Sequence, residues 1–279
     1  MVDTINYNKI RDYIYEKTGI YIEEKRMYFF KNRVIKRIKK LALDNPETYY
    51  NFLVKSEYSE MELKKLISEI TINETYFFRE FPQLKVFAEY ALNDVIKRKS
   101  NKYIKVLSAG SASGEEPYTL SIILKEMLDY GFDYKIDALD IDPIMVLKAR
   151  SAVYSDYSIR DVPKEYLAKY FEKEGNNYKV KDIVKDKVNI YNLNLIEDET
   201  YEKLDDDYDF IFCRNVFIYF SDEIRKKIVT KFYTILNEGG YIFLGHSESI
   251  NRITNAFRIV KANDFILYQK PSEGGANNV

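Results

Sequence analysis

The chain has 279 residues, 46% hydrophobic and 31% charged, with a net charge of −1, which is the balance of a soluble globular protein. A single cysteine, Cys213, excludes an intrachain disulfide and fits a reducing compartment. The N-terminus lacks the basic and apolar regions of a signal peptide, and no apolar run reaches the roughly 18 residues that cross a bilayer, so a cytoplasmic protein without membrane insertion is expected.

The length accommodates an α/β domain of about 200 residues and a smaller companion. Residues 1 to about 70 read as helices, at Tyr7–Thr18, Glu24–Ala42, Thr48–Lys55 and Met61–Ile70. Between Lys25 and Lys40 lie eight basic residues and no acid, while Phe30, Val34, Ile38 and Leu41 recur at helical spacing. The basic residues are therefore expected on the outer face of an amphipathic helix. That face is either simply solvated or a docking surface for an acidic partner, with Lys36, Arg37 and Lys40 as its candidates. No recognised RNA-binding module accompanies it, so no nucleic-acid partner is expected.

From Tyr103 the pattern alternates between strands and helices, which indicates a mostly parallel, doubly wound sheet. Ile104–Leu107 reads as a buried strand, followed by the small-residue turn Ser108–Gly114 and a helix over Pro117–Leu128. Such a turn normally cradles phosphate on backbone N–H groups and the positive helix end. Here Glu115 and Glu116 would repel a pyrophosphate, and neither a P-loop nor a complete G-x-G-x-x-G is present. A ligand with an adenosine and a positive group, such as S-adenosylmethionine (SAM), suits the turn better. The bland alternative is a capping box, Ser113 with Glu116, that only starts the helix. Asp140 ends a second strand, Lys135–Leu139, where an acid can take ribose hydroxyls; Asp142, before Pro143, suits the N-cap of the next helix.

Further strands are expected at Val188–Asn192, Tyr208–Cys213, Gly240–Gly245, Phe257–Lys261 and Phe265–Gln269, the last two forming an antiparallel edge hairpin. One insert breaks the alternation: Tyr170–Glu174 and Tyr178–Val184 flank Gly175-Asn-Asn177 as a hairpin that could offer a strand edge to a peptide. The expected organisation is a helical domain over 1–75 and an α/β domain over 76–270 with a β-subdomain insert at 151–187. A polar, glycine-rich tail at 271–279 is expected to be disordered.

Four separated motifs, Asn73-Glu-Thr-Tyr-Phe-Phe-Arg-Glu80, Ser108–Thr119, Phe212-Cys-Arg-Asn-Val-Phe-Ile-Tyr-Phe220 and Leu244-Gly-His-Ser-Glu-Ser249, together resemble the CheR family of SAM-dependent chemotaxis-receptor glutamate O-methyltransferases. The resemblance runs from about residue 5 to Lys270. Ser111-Ala-Ser113 departs from the Cys-Ser-Thr of many members but keeps the residues small. It implies an all-α N-terminal domain, a class I SAM-methyltransferase sheet with a small β-subdomain, and transfer of a methyl group to glutamate side chains of chemoreceptors. It also implies that Asn73, Thr75 and Arg79 meet the methionine end of SAM, that Glu116 and Asp140 hold its amino group or ribose, and that Asn194 and Leu195 line the adenine pocket. Arg214 and Asn215 would complete the site, and Tyr219 would face the methyl group.

A glutamate nucleophile is already ionised at pH 7 and needs no general base. What it needs is alignment, which Arg79 and Tyr219 are suited to give as the catalytic residues. The only histidine, His246, reads as a structural residue beyond a strand, Cys213 as inert core, and no metal site is expected. The alternatives are a SAM methyltransferase acting on a small molecule or RNA, and a SAM-binding module without turnover.

Overall fold

The computed structural model describes residues 2–272; the expected tail lies almost wholly outside the described residues. Four helices open the chain, α1 (Val2–Thr18), α2 (Met27–Lys40), α3 (Pro46–Lys55) and α4 (Ser59–Ile70). Apolar residues at i and i+4, such as Ile10 and Ile14 on α1 and Phe30, Val34 and Ile38 on α2, converge on a core closed by Tyr49, Leu53 and Leu66. Asn45 caps α3 by accepting the N–H groups of Glu47 and Thr48.

This bundle corrects one expectation. Arg37 is not on the outer face of α2; its side chain is 3% exposed. Its Nε and Nη2 donate to the two oxygens of Glu62 at 2.8 and 2.6 Å, and the Tyr49 hydroxyl donates to Glu62 Oε1 at 2.8 Å. The reason is helical geometry, since position 37 shares the face of Val34 and Ile38. Lys36 and Lys40 do face solvent, with Lys36 paired to Glu69 at 2.8 Å.

After the bundle come α5 (Phe81–Val86) and α6 (Leu92–Arg98), two helices beyond those expected from the sequence, joined through a π-helical turn at Phe87–Ala91. The chain continues through β1 (Tyr103–Ala109), α7 (Glu115–Met127), β2 (Asp133–Asp140) and α8 (Pro143–Ser151). The insert follows, with β3 (Val153–Ser155), α9 (Asp156–Ile159), α10 (Lys164–Tyr170), β4 (Phe171–Glu174), β5 (Asn177–Val180) and α11 (Asp182–Lys185). It leads into β6 (Val188–Asn192), α12 (Asp198–Glu202), β7 (Tyr208–Cys213), α13 (Asp222–Ile235), β8 (Leu236–Leu244), β9 (Arg258–Ala262) and β10 (Phe265–Gln269).

The main sheet has the order β6-β2-β1-β7-β8-β10-β9, parallel from β6 to β8 and antiparallel at β10 and β9. Along β7, Phe210 and Phe212 face one cluster with Phe87, while Ile211 and Cys213 face the other with Phe232. Both faces of the sheet are therefore dry, as a doubly wound parallel sheet requires. Cys213 is fully buried, and burial pushes its thiol well above its ordinary pKa, which makes it inert. The chain leaves β1 in both directions, toward β2 and toward β7, so a crevice opens at the carboxyl ends of these strands.

The insert forms a three-stranded sheet in the order β3-β5-β4. The expected strand Tyr178–Val184 stops at Val180, where α11 takes over, and it is central rather than an edge. Its ladder groups are taken by β3 on one side and β4 on the other, so only those two present edges. No helix among the described residues is long and apolar enough to cross a membrane.

Candidate active site

The crevice begins where β1 runs into the turn Gly110–Gly114. Gly110 has φ 81°, and a Cβ there would sit 2.4 Å from Val216 Cγ2, so this position has room only for glycine. Gly110 N and Ser111 N donate to Leu139 O at 2.8 and 2.9 Å, which ties the end of β1 to that of β2. Ala112, at φ 45°, directs its N–H to Asp140 Oδ2 at 2.8 Å, and Asp142 N donates to the other oxygen, Oδ1, at 2.8 Å. Asp140 is thus fixed at the cavity wall, where burial pushes its carboxyl up to about 6.

The expected capping box is absent, because Gly114 at φ 93° occupies the N-cap of α7 and no side chain caps it. Ser113 Oγ instead donates to Glu115 Oε2 at 2.7 Å. The two neighbouring acids have different surroundings. Glu115 turns away and accepts Ser158 Oγ of α9 at 3.0 Å, while Glu116 lines the cavity and accepts Ser108 Oγ at 2.8 Å and Arg214 Nη1 at 3.2 Å. Burial raises the pKa of both, and Arg214 opposes the rise at Glu116.

Residues 73–80 form the opposite wall. Phe77 and Phe78 are buried and anchor the segment, and the left-handed conformations of Phe78 (φ 60°) and Glu80 (φ 57°) flank Arg79. Arg79 lines the cavity half-buried, with Nη1 on Glu74 O. Thr75 lines it too; Asn73 does as well, though its Nδ2 is committed to Asp142 Oδ2 at 2.9 Å. Asp142 is the expected N-cap of α8, accepting Ile144 N at 2.9 Å, and Ser68 of α4 also donates to it at 2.6 Å. One carboxylate therefore joins the bundle, the 73–80 segment and α8.

From β7 and beyond come Arg214, Asn215 and Tyr219, all lining the cavity. Asn215 is left-handed at φ 59°. Tyr219, on a 3-10 turn, donates its hydroxyl to Ile72 O and accepts Ile72 N, both at 3.0 Å, and burial raises its pKa. Leu195 supplies an apolar wall, while Asn194 reaches the cavity but spends its Nδ2 on Lys17 O at the end of α1. Every site residue expected from the resemblance borders this one cavity. His246 is exposed and is not among its lining residues.

One organising residue was missed. Glu248 accepts Asn215 N and Gly245 N at 2.8 Å on Oε2 and Ile218 N at 3.2 Å on Oε1, holding the turn that carries Arg214 and Tyr219. Its motif was visible in the sequence, but a carboxylate bonded to backbone N–H groups leaves no pairing signal there.

About 1040 Å3 of space lies between the lining residues, counting the open solvent at the mouth. Two buried polar atoms on its lining residues, Ser111 Oγ and Arg214 Nε, have no hydrogen-bond partner. Acids at Glu116 and Asp140, guanidinium groups at Arg79 and Arg214, and the apolar Leu139, Leu193 and Leu195 match the ammonium, carboxylate and adenosine parts of SAM. Fold and cavity together define a SAM-dependent methyltransferase.

Residues 73–266 match the family model described as CheR methyltransferase, SAM binding domain, and residues 5–71 match CheR methyltransferase, all-alpha domain. The chain belongs to the CheR methyltransferase family. It is 36% identical to Chemotaxis protein methyltransferase 2 of Vibrio cholerae over 98% of this chain and 96% of that protein. It is 35% identical to Chemotaxis protein methyltransferase of Borreliella burgdorferi over 89% of each chain. A third relative, Chemotaxis protein methyltransferase of Vibrio parahaemolyticus, is 32% identical over 95% of this chain and 98% of its own.

Proposed function

We propose that the protein methylates glutamate side chains of chemoreceptor cytoplasmic domains, forming glutamyl methyl esters in chemotactic adaptation. The observation that carries the proposal is that both buried carboxylates of the cavity are already engaged. Asp140 has a backbone N–H on each oxygen, and Glu116 is shared between Ser108 and Arg214. With their remaining acceptor positions given to SAM, neither is left for general-base work, which favours an acceptor already ionised at neutral pH, such as a carboxylate, over an alcohol. The names of the similar proteins, all chemotaxis methyltransferases, support the biological setting.

When bound, SAM supplies an electrophilic methyl group on a sulfonium. Glu116, Asp140 and Arg214 would hold it, with Leu195 beside the adenine. Arg79 fixes the incoming carboxylate through its planar donors, and Tyr219, its hydroxyl held on Ile72 O and N, sets the position of the neighbouring wall against which the reacting groups align. Such alignment can account for roughly 7–11 kcal/mol of a barrier. The exposed cations of α2, Lys36 and Lys40 among them, give acidic receptor helices a docking face, and Arg37 has no part in it.

Incubation with methyl-labelled SAM and a receptor cytoplasmic fragment tests the proposal. Base-labile label on receptor glutamates is expected. Label confined to RNA or small molecules, or SAM binding without transfer, would overturn it.

A further inference from the structure

Arg160 follows α9 at the exposed rim of the 73–80 wall. Its guanidinium carbon lies 3.6 Å from the centroid of the Tyr76 ring and 4.0 Å from that of Tyr157. Two aromatic faces therefore clamp the planar group and fix its orientation. Its Nη1 donates to Tyr157 O at 2.6 Å, and among the described residues no carboxylate pairs with it. Apart from that bond, its N–H donors have no partner among the described residues.

The clamp is tied to the cavity. Tyr76 lines it; Phe77 N donates to Ser158 O at 2.9 Å, holding α9 against the wall; and Ile72, also lining, is 60% exposed. A substrate segment approaching Arg79 therefore meets an apolar footing at Ile72 and a rigid, unpaired cation at Arg160. An acidic helix presents carboxylates three and four residues apart on one face. One of these can enter toward Arg79 while its neighbour meets Arg160.

We propose that Arg160 is a substrate-binding residue that receives a second carboxylate of the acidic segment, beside the glutamate to be methylated. This rests on the functional reading above. It assigns the rim a part in choosing which glutamates react, since those with an acid one helical turn away are favoured. The bland account is that Arg160 only staples Tyr76 to Tyr157. A staple would act on the SAM-binding wall rather than on receptor recognition.

The test compares wild type with Arg160→Gln, whose flat amide can still stack between the rings, and with Arg160→Lys, which keeps the charge and loses the fork. For Arg160→Gln, KM for the receptor fragment should rise about five- to tenfold and lose salt sensitivity, with kcat and SAM affinity at wild-type values. Arg160→Lys should fall between. Weaker SAM binding with unchanged receptor KM would identify a staple and overturn the proposal. Wild-type glutamate labelling with an unchanged KM in Arg160→Gln would overturn it alone. Absence of glutamate label with the wild-type enzyme would overturn the functional reading and this proposal together.

Discussion

Among the described residues two buried arginines are set against carboxylates, and they differ in how completely they are satisfied. In the helical bundle, Arg37 meets both oxygens of Glu62, and Tyr49 adds a third hydrogen bond. At the cavity, Arg214 is divided between Glu80 at 3.0 Å and Glu116 at 3.2 Å, with Nη2 also donating to Arg79 O. Its Nε is unbonded, and Glu80 Oε2 is near enough for an ion pair but out of hydrogen-bond alignment. Both arginine side chains are under 5% exposed, at 3% and 4%. Burial of charge therefore does not separate structure from function here; unspent hydrogen-bonding capacity beside a cavity does.

The sharpest way to break this comparison is Arg37→Ala. It strands the Glu62 carboxylate inside the bundle, so unfolding free energy should fall by about 3–5 kcal/mol in urea titrations. SAM affinity of the protein that remains folded should be unchanged. A loss within surface-mutation range would mean that the bundle pair is not closed. At the cavity, Arg79→Ala should instead spare stability, Tyr219→Phe should cost about 0.5–1.5 kcal/mol for each bond lost to Ile72, and both should lower turnover at saturating SAM by roughly 100-fold, the scale of a misaligned reacting pair. Single-turnover assays would show it. Tyr219→Phe should separate chemistry from binding more cleanly, because Arg79 also adjoins the cofactor-binding wall.

The closed pair was hidden in the sequence for a physical reason. Position 37 sits with Val34 and Ile38 at helical spacing, so its inward direction was legible, but Glu62 lies on another helix with nothing local to mark it. The open set was more visible, since strands β1, β2 and β7 are apolar runs that end on Glu116, Asp140 and Arg214 or lead to them. The turn chemistry was read less well, because the left-handed Gly114 took the cap that Ser113 and Glu116 were expected to form. Helices α5 and α6, with the π-helical turn between them, carry Leu84, Phe87, Ala91 and Val95 at helical spacing, a signal that the flanking Pro82 and charged residues obscure. The central place of β5 depends on β3, a strand of 3 residues and too short to show a period.

Asp140 sharpens the contrast from the cavity side. Asp140→Ala should weaken SAM binding by about 1–3 kcal/mol in calorimetry, because a charged acceptor is lost. With its carboxyl pushed up to about 6, SAM affinity in the wild type should fall by up to about tenfold per unit below that pH. Stability of the unliganded fold responds in the opposite sense. A raised folded pKa contributes stability that is full below the ordinary carboxylate value and is lost as pH rises through about 6. An affinity that stays flat from pH 5 to 8 would remove Asp140 from the site.

The smallest effect is expected where charge is fully wet. Lys36 is 58% exposed and pairs with Glu69 across the bundle surface, and Lys40 faces solvent beyond it. Reversing both to Glu, with Arg37 left intact, should change stability by well under about 1 kcal/mol, since exposed pairs contribute little. A test that also reversed Arg37 would report unfolding and say nothing about docking. If α2 steers acidic receptor helices, the double reversal should raise receptor KM at low salt, and the difference from wild type should shrink as salt screens the field. SAM affinity should stay put, because neither lysine borders the cavity. Receptor kinetics equal to wild type at every ionic strength would reduce the face to solvated surface. The contacts that choose the substrate would then lie at the rim of the cavity rather than on the bundle.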